Sequence, residues 1–204
     1  MLGMMMNVSL KTSDALKSMA QEIIKASVEY VTNYDDNIKQ RSYGLISRLI
    51  SYSEECINIA CQHFLPMHIM HLLPDGEETT LIHAVKILAV VTRYNEGARK
   101  TVVECDPELK VLRASLGECE DIVVADSALC IANMCQDREI CVSLVDTNII
   151  QELLARTDSL NSAIKQNCAI AVAKLVSNDV RHMKKLKEHN GFDILHSCVK
   201  HLKS

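Results

Sequence analysis

The chain is predicted to be all-α, a stack of similar helical repeats, and three observations carry that prediction. Two stretches about 42 residues apart vary one theme: Ala125-Asp-Ser-Ala-Leu-Cys-Ile-Ala-Asn-Met-Cys135 and Gln166-Asn-Cys-Ala-Ile-Ala-Val-Ala-Lys-Leu-Val176. Each is an apolar run rich in small residues, followed by a short polar link, a shorter helix and a third helix. Repetition at a fixed period of this size is the signature of a solenoid. Leu49, Val90, Met134 and Leu175 recur as anchors of the theme at spacings of 41, 44 and 41. Composition agrees, because aromatics make up 3% of the 204 residues and Trp is absent. A sheet protein draws on β-branched and aromatic residues, whereas this chain draws on Leu, Ile, Val, Ala, Met and Cys.

The elements follow in order. Residues 1–13 are expected to be irregular, with Met4, Met5 and Met6 placed to cover the first open layer. From Asp14 a helical period sets in through Leu16, Met19, Ile23, Ile24, Ser27 and Val31. Asn33 to Asn37 interrupts it, and a second helix covers about 38–51. Ser53-Glu-Glu55 has the form of an N-terminal cap. Pro66 suits the first turn of a helix reaching Leu73, and Pro74-Asp-Gly76 makes a turn. The theme returns at Leu81 to Val91, then a short helix from Asn95, then a helix opened by Pro107. The copy at 122–135 is the clearest, and the last begins near residue 160. A single repeat domain of about four to five repeats is expected over 14–204, most regular at 80–204. Each repeat alone leaves an apolar face open, so stability requires stacking.

The formal net charge is −4, so no global field draws the chain to nucleic acid or to an anionic membrane. No run approaches the roughly 18–20 apolar residues of a membrane span. The first ten residues lack the basic region and cleavage site of a secretory signal. Nine Cys, an odd number, several within apolar helical runs, are read as small core hydrophobes of a reducing compartment, and the cytoplasm is the expected location.

The residues of the clearest copy carry a resemblance. Ala128-Leu-Cys-Ile-Ala-Asn-Met134 is similar to the third-helix signature of the armadillo repeat family, and Asp137 to Cys141 to its polar link and first helix. Asn190-Gly191 sits where the family's glycine separates the first two helices. The resemblance implies an armadillo-like right-handed superhelix whose third helices line a concave, protein-binding face. The run from Asn178 to His196 is also similar to the end of chains that join tetratricopeptide repeats to an armadillo tail. That likeness implies a cytoplasmic assembly or co-chaperone role, with chaperone or dynein-assembly machinery among the partners.

The expected function is therefore a non-catalytic scaffold for other proteins. On the family's geometry, the partner-binding residues are Asp126, Leu129, Asn133 and Gln136 from one copy and Gln166, Ile170 and Lys174 from the next. Leu129 and Ile170 supply apolar contact, Asn133 meets a partner backbone, and Lys174 meets an acidic group. Members that clamp extended basic peptides repeat an Asn and a Trp along the third helices. Here the positions equivalent to Asn133 read Arg48, Ala89 and Lys174, so import-style capture of such peptides is not expected. The alternative is an architectural segment of a larger solenoid, for example a ciliary dynein-arm assembly factor, with no binding site of its own.

A basic stretch at Arg181, Lys184, Lys185 and Lys187 reads first as the polar face of a terminal repeat and second as a docking patch for an acidic segment. No aromatics interleave with it, which argues against single-stranded nucleic acid. Cys130, Cys135 and Cys141 lack the usual spacing of paired zinc ligands. His63, His68 and His71, near Cys61, read as partly exposed helix histidines. No phosphate loop, nucleophile elbow or paired-acid motif is present in the sequence, so neither catalysis nor a metal or other cofactor is expected.

Overall fold

The computed structural model describes the backbone of residues 14–202 and the side chains of residues 19–196. The expectations for residues 1–13, including Met4, Met5 and Met6, and those for Leu16 and Cys198 lie outside these limits. Among the described residues thirteen α-helices and two 3-10 turns occur and no strand, so the chain is all-α as expected. By internal packing it divides into two compact units, residues 1–105 and 106–204.

In the first unit, α1 (Asp14–Val28) and α2 (Asp36–Leu49) are followed by α3 (Glu54–Gln62), α4 (Leu65–Leu72), α5 (Glu78–Tyr94) and α6 (Glu96–Cys105). Local chemistry sets the boundaries. The Asp35 carboxylate accepts from the backbone N–H groups of Asn37 and Ile38, capping α2. Ser53 accepts from the Cys56 N–H at 3.2 Å, as the Ser-Glu-Glu pattern predicts. Asn95 accepts from the Ala98 N–H at 2.9 Å to open α6. Helices α2 and α5 pack side by side around Leu45, Ile46, Leu49, Leu88 and Val91, all fully buried. Two polar contacts link positions one repeat apart. The Ser47 hydroxyl lies 3.2 Å from His83 Nδ1, and Asn95 donates to the Asn58 side-chain oxygen.

The second unit holds α7 (Lys110–Ala114), α8 (Asp121–Met134), α9 (Arg138–Ser143), α10 (Ile149–Leu154), α11 (Ser162–Asn178), α12 (Val180–Glu188) and α13 (Gly191–Leu202). Its centre is the pair α8 and α11. Helix α8 is buried on almost every side, from Val123 through Met134, as an apolar all-round helix must be. Ala128, Ala132 and Ala171 are fully buried between neighbours and allow the close approach expected of small residues. Ala169 is only half-buried and Ala173 is exposed, so these two face away from the tightest packing.

Two boundaries differ from the sequence reading. Pro107 does not open a helix: α7 starts at Lys110, where the Asp106 carboxylate accepts from the N–H groups of Lys110 and Val111 at 2.8 and 2.7 Å. The anchor of α5 is Val91, which is fully buried, and not the half-buried Val90. With Val91 the buried positions Leu49, Val91, Met134 and Leu175 recur at 42, 43 and 41 residues.

Three of the four junctions between first and second helices share one backbone device, and the α9–α10 junction does without it. Phe64, Leu109 and Asn190 each adopt a left-handed conformation, with φ of 56°, 51° and 53°. At the last junction the left-handed residue is Asn190, a type that tolerates it, and the neighbouring glycine does other work. A Cβ on Gly191 would overlap Leu186 Cδ1 and lie 3.0 Å from the Leu186 carbonyl oxygen, so Gly191 is there for close packing.

Two stability predictions follow from these contacts. Gly191→Ala overpacks against the backbone and is expected to destabilise by about 1–3 kcal/mol, whereas Asn190→Gly changes stability by less than about 1 kcal/mol. Urea denaturation followed by circular dichroism measures both, and the reverse order would contradict the assignment of roles. His182, fully buried, donates from Nε2 to the Cys141 carbonyl at 2.8 Å. His182→Ala removes that bond and leaves a cavity, so a loss of about 2–4 kcal/mol is expected in the same assay, against little change for the exposed Lys187→Ala.

Candidate protein-binding surface

The expected partner-binding residues lie on α8, on α11 and just beyond the end of α8 at Gln136. Three asparagines fix the two helices in register. Asn161 donates to the Asp121 carboxylate at 3.1 Å at their N-terminal ends. Asn167 donates to the Ala125 carbonyl at 2.8 Å, and Asn178 to the Cys135 carbonyl at 2.7 Å. Asn161 also caps α11 by accepting from the Ala163 N–H at 2.9 Å. These contacts join residues 40, 42 and 43 apart, so the helices run parallel, one repeat out of step.

The outward side of this pair is a stripe with helical spacing. On α11 it comprises Ala163, Gln166, Ile170, Ala173 and Ser177, all exposed. On α8 the stripe alongside comprises Ile122, Asp126, Leu129, Asn133 and, beyond the helix end, Gln136. Ile122 and Gln136 are exposed, Asp126 and Leu129 are half-buried, and Asn133 is buried at 3% exposure. The expected residues thus differ in exposure: Gln136, Gln166 and Ile170 are open to solvent and Asp126 and Leu129 are half-buried. Asn133 sits beneath the stripe, and Lys174 is half-buried at its margin, close enough to Cys135 for its charge to act on that thiol. The sequence reading passed over Ile122, Ala163, Ala173 and Ser177. The signal was present as a spacing of alternating fours and threes extending from Asp126 and Gln166 in both directions.

In the first unit the corresponding faces have different chemistry. Arg48 turns back to donate to the Gly44 carbonyl, and with Val91 as the anchor the position matching Asn133 is the half-buried Val90, while the expected Ala89 is buried at 4% exposure. His83 is held below the ordinary imidazole pKa by burial and by the charges of Arg48 and Lys86.

The basic stretch on α12 is partly consumed within the fold. Arg181 forms a two-pronged pair with Asp179, Nη2 to Oδ2 at 2.6 Å and Nε to Oδ1 at 3.0 Å. Arg181 holds the Asp179 carboxyl well below the usual carboxylate range, and Asp179 in turn caps α12 through the Arg181 N–H. Lys185 reaches the Thr147 carbonyl at 2.9 Å. Lys184 stands 3.9 Å from Glu188, both exposed, and Lys187 is exposed. The stretch thus divides into ties (Arg181, Lys185) and solvent-facing charge (Lys184, Lys187).

Cys130, Cys135 and Cys141 are buried. The Cys141 thiol lies 3.5 Å from the Cys135 carbonyl oxygen. The neighbouring Cys141 thiol and burial push Cys135 up, while Cys135 and Asn178 lower Cys141. His68 is held below its ordinary value by burial and by His71. Among the described residues no group of three or more His, Cys, Asp or Glu side chains is placed to hold a metal ion. Nor is any described helix long and apolar enough to cross a membrane.

No family model matches the chain. Tetratricopeptide repeat protein 12 of Homo sapiens is 30% identical over 204 residues, covering 99% of this chain and 29% of that protein. The chain thus spans less than a third of the relative it matches. Among solved structures, computationally designed armadillo repeat proteins for modular peptide recognition superpose with a TM-score of 0.77 at 16% identity, covering 97% of this chain and 91% of theirs. A designed armadillo repeat protein in complex with the peptide (KR)4 gives 0.75 at 17% identity, covering 96% and 90%. The fold of this chain is that of the armadillo repeat proteins.

Proposed function

We propose that the chain is a non-catalytic scaffold that binds an extended segment of a partner protein along the third-helix stripe of α8 and α11. The observation that carries this reading is the stripe itself, two parallel helices locked in register by three asparagines, exposed along α11 and partly open along α8. Ile122, Leu129 and Ile170 offer apolar anchors, and Gln136 and Gln166 offer amide groups able to donate and accept along a partner backbone. The structural neighbours include armadillo proteins designed for peptide recognition, which supports a peptide-binding use of this fold.

The charge pattern narrows the partner. One structural neighbour holds the basic peptide (KR)4. On this stripe and its margin Asp126 is matched by Lys174, so neither sign is in surplus. The favoured partner is a segment of low net charge with an apolar side chain every few residues.

The match to Tetratricopeptide repeat protein 12 agrees with the sequence resemblance to chains that join tetratricopeptide repeats to an armadillo tail, and on that resemblance the scaffold belongs to a cytoplasmic assembly or co-chaperone factor, with chaperone, dynein-arm or cilium-assembly components as partners. The architectural reading, a spacer within a longer solenoid, is the competitor because the match spans only 29% of that relative. An Ile170→Asp, Gln166→Ala double variant is expected to fold normally, since both side chains are exposed. Proximity labelling in cells, quantified by mass spectrometry, should show the wild-type set of labelled proteins depleted at least fivefold for direct partners. Undiminished labelling by the folded variant would favour the architectural reading.

A further inference from the structure

A second surface lies on different helices. Between α7, the 3-10 turn Ser115–Gly117 and the end of α10 is a cleft of about 530 Å³, in the range of sites that hold a ligand or a peptide side chain. Its apolar lining comes from Ala114, Leu116 and Ala155, and three cations, Lys110, Arg113 and Arg156, stand around it. The only carboxylate in the lining is Glu152. Arg113 grips it with Nε to Oε2 at 2.7 Å and Nη2 to Oε1 at 2.6 Å, and only 15% of the Arg113 side chain is exposed. That pair cancels within itself and fixes one wall. The sign of the cleft is then set by the other two cations. Lys110 stands 3.2 Å from Glu108, but both are well exposed, and such a pair is weak and exchangeable. Arg156 forms no ion pair among the described residues and is half-buried against the cleft. Opposite it is Gly117, whose missing side chain leaves the opening clear: a Cβ there would lie 3.9 Å from Arg156 Nη2.

We propose that this cleft docks an acidic segment of a partner protein, one carboxylate seated between Arg156 and Lys110 above the apolar lining. A planar guanidinium matches a carboxylate in two-pronged geometry. Arg156 supplies that fork, Lys110 adds a mobile point charge, and the Arg113–Glu152 pair holds the wall in place. The site is built from second helices, apart from the third-helix stripe, so a partner engaging both would be held at two places.

The test is fluorescence anisotropy with a fluorescein-labelled octaglutamate peptide at about 50 mM salt, where screening is moderate. Saturable binding is expected, weakened about tenfold by Arg156→Ala and somewhat less by Lys110→Ala. Gly117→Leu changes no charge, and Gly117 has no positive φ to forbid a side chain. It fills the opening and is expected to weaken binding to a similar extent in a protein whose circular dichroism is unchanged. Lys187→Ala serves as the control and is expected to leave binding intact. No saturable binding, full binding by Gly117→Leu, or a loss in Lys187→Ala equal to that in Arg156→Ala would overturn the proposal.

Discussion

Backbone carbonyls at helix ends have no partner within their own helix, and in a stack of short helices this constraint recurs every few residues. In residues 106–204 the solution comes from the following repeat. Asn178 caps the carbonyl of Cys135 just past the end of α8, His182 that of Cys141 within α9, and Lys185 that of Thr147 ahead of α10. Three consecutive breaks in one repeat are closed by three side chains of the next, at separations of 43, 41 and 38 residues. Apolar burial alone would allow neighbouring layers to slide. These directional bonds do not, because a shift by one residue would leave several buried polar groups unmatched.

The same economy governs three of the four junctions between first and second helices, all but that of α9 and α10. A left-handed residue turns the chain sharply, and glycine is the usual occupant because it carries no steric penalty there. This chain uses Phe64, Leu109 and Asn190 instead. Leu109 is fully buried, so its side chain contributes packing that offsets the strained backbone. Phe64 is 64% exposed and has less packing to set against the same conformation. Glycine is retained at 191, where the requirement is contact with Leu186 and not a special φ.

Much of this could be read from the sequence, and the exceptions share a cause. The repeat period, the helix order and the caps at Ser53 and Pro66 depend on local pattern, and local pattern is what a sequence displays. The burial of Asn133 was not legible, because an asparagine in a signature position looks the same whether it faces a partner or its own protein. Lys185 and Arg181 look like surface charge in a run of basic residues, yet each has a specific acceptor, one of them 38 residues away. The anchor of α5 shifted from Val90 to Val91 because two adjacent valines fit the pattern equally and only the packed layer distinguishes them. The Arg113–Glu152 pair, 39 residues apart, was invisible for the same reason.

The ties between repeats also explain why an open edge persists on α8 and α11. Asn161, Asn167 and Asn178 occupy the side of α11 that faces α8, leaving Ala163, Gln166, Ile170, Ala173 and Ser177 for the outer side. Three of those five are small. Small residues in the buried seam, such as Ala128 and Ala132, let helix approach helix. On the outer side they leave room for a foreign backbone to come close to α11, with Ile170 as the protruding contact between them. A stripe that only needed to be soluble would be better served by Lys and Glu, and the small residues along it are what the proposed binding of an extended backbone requires.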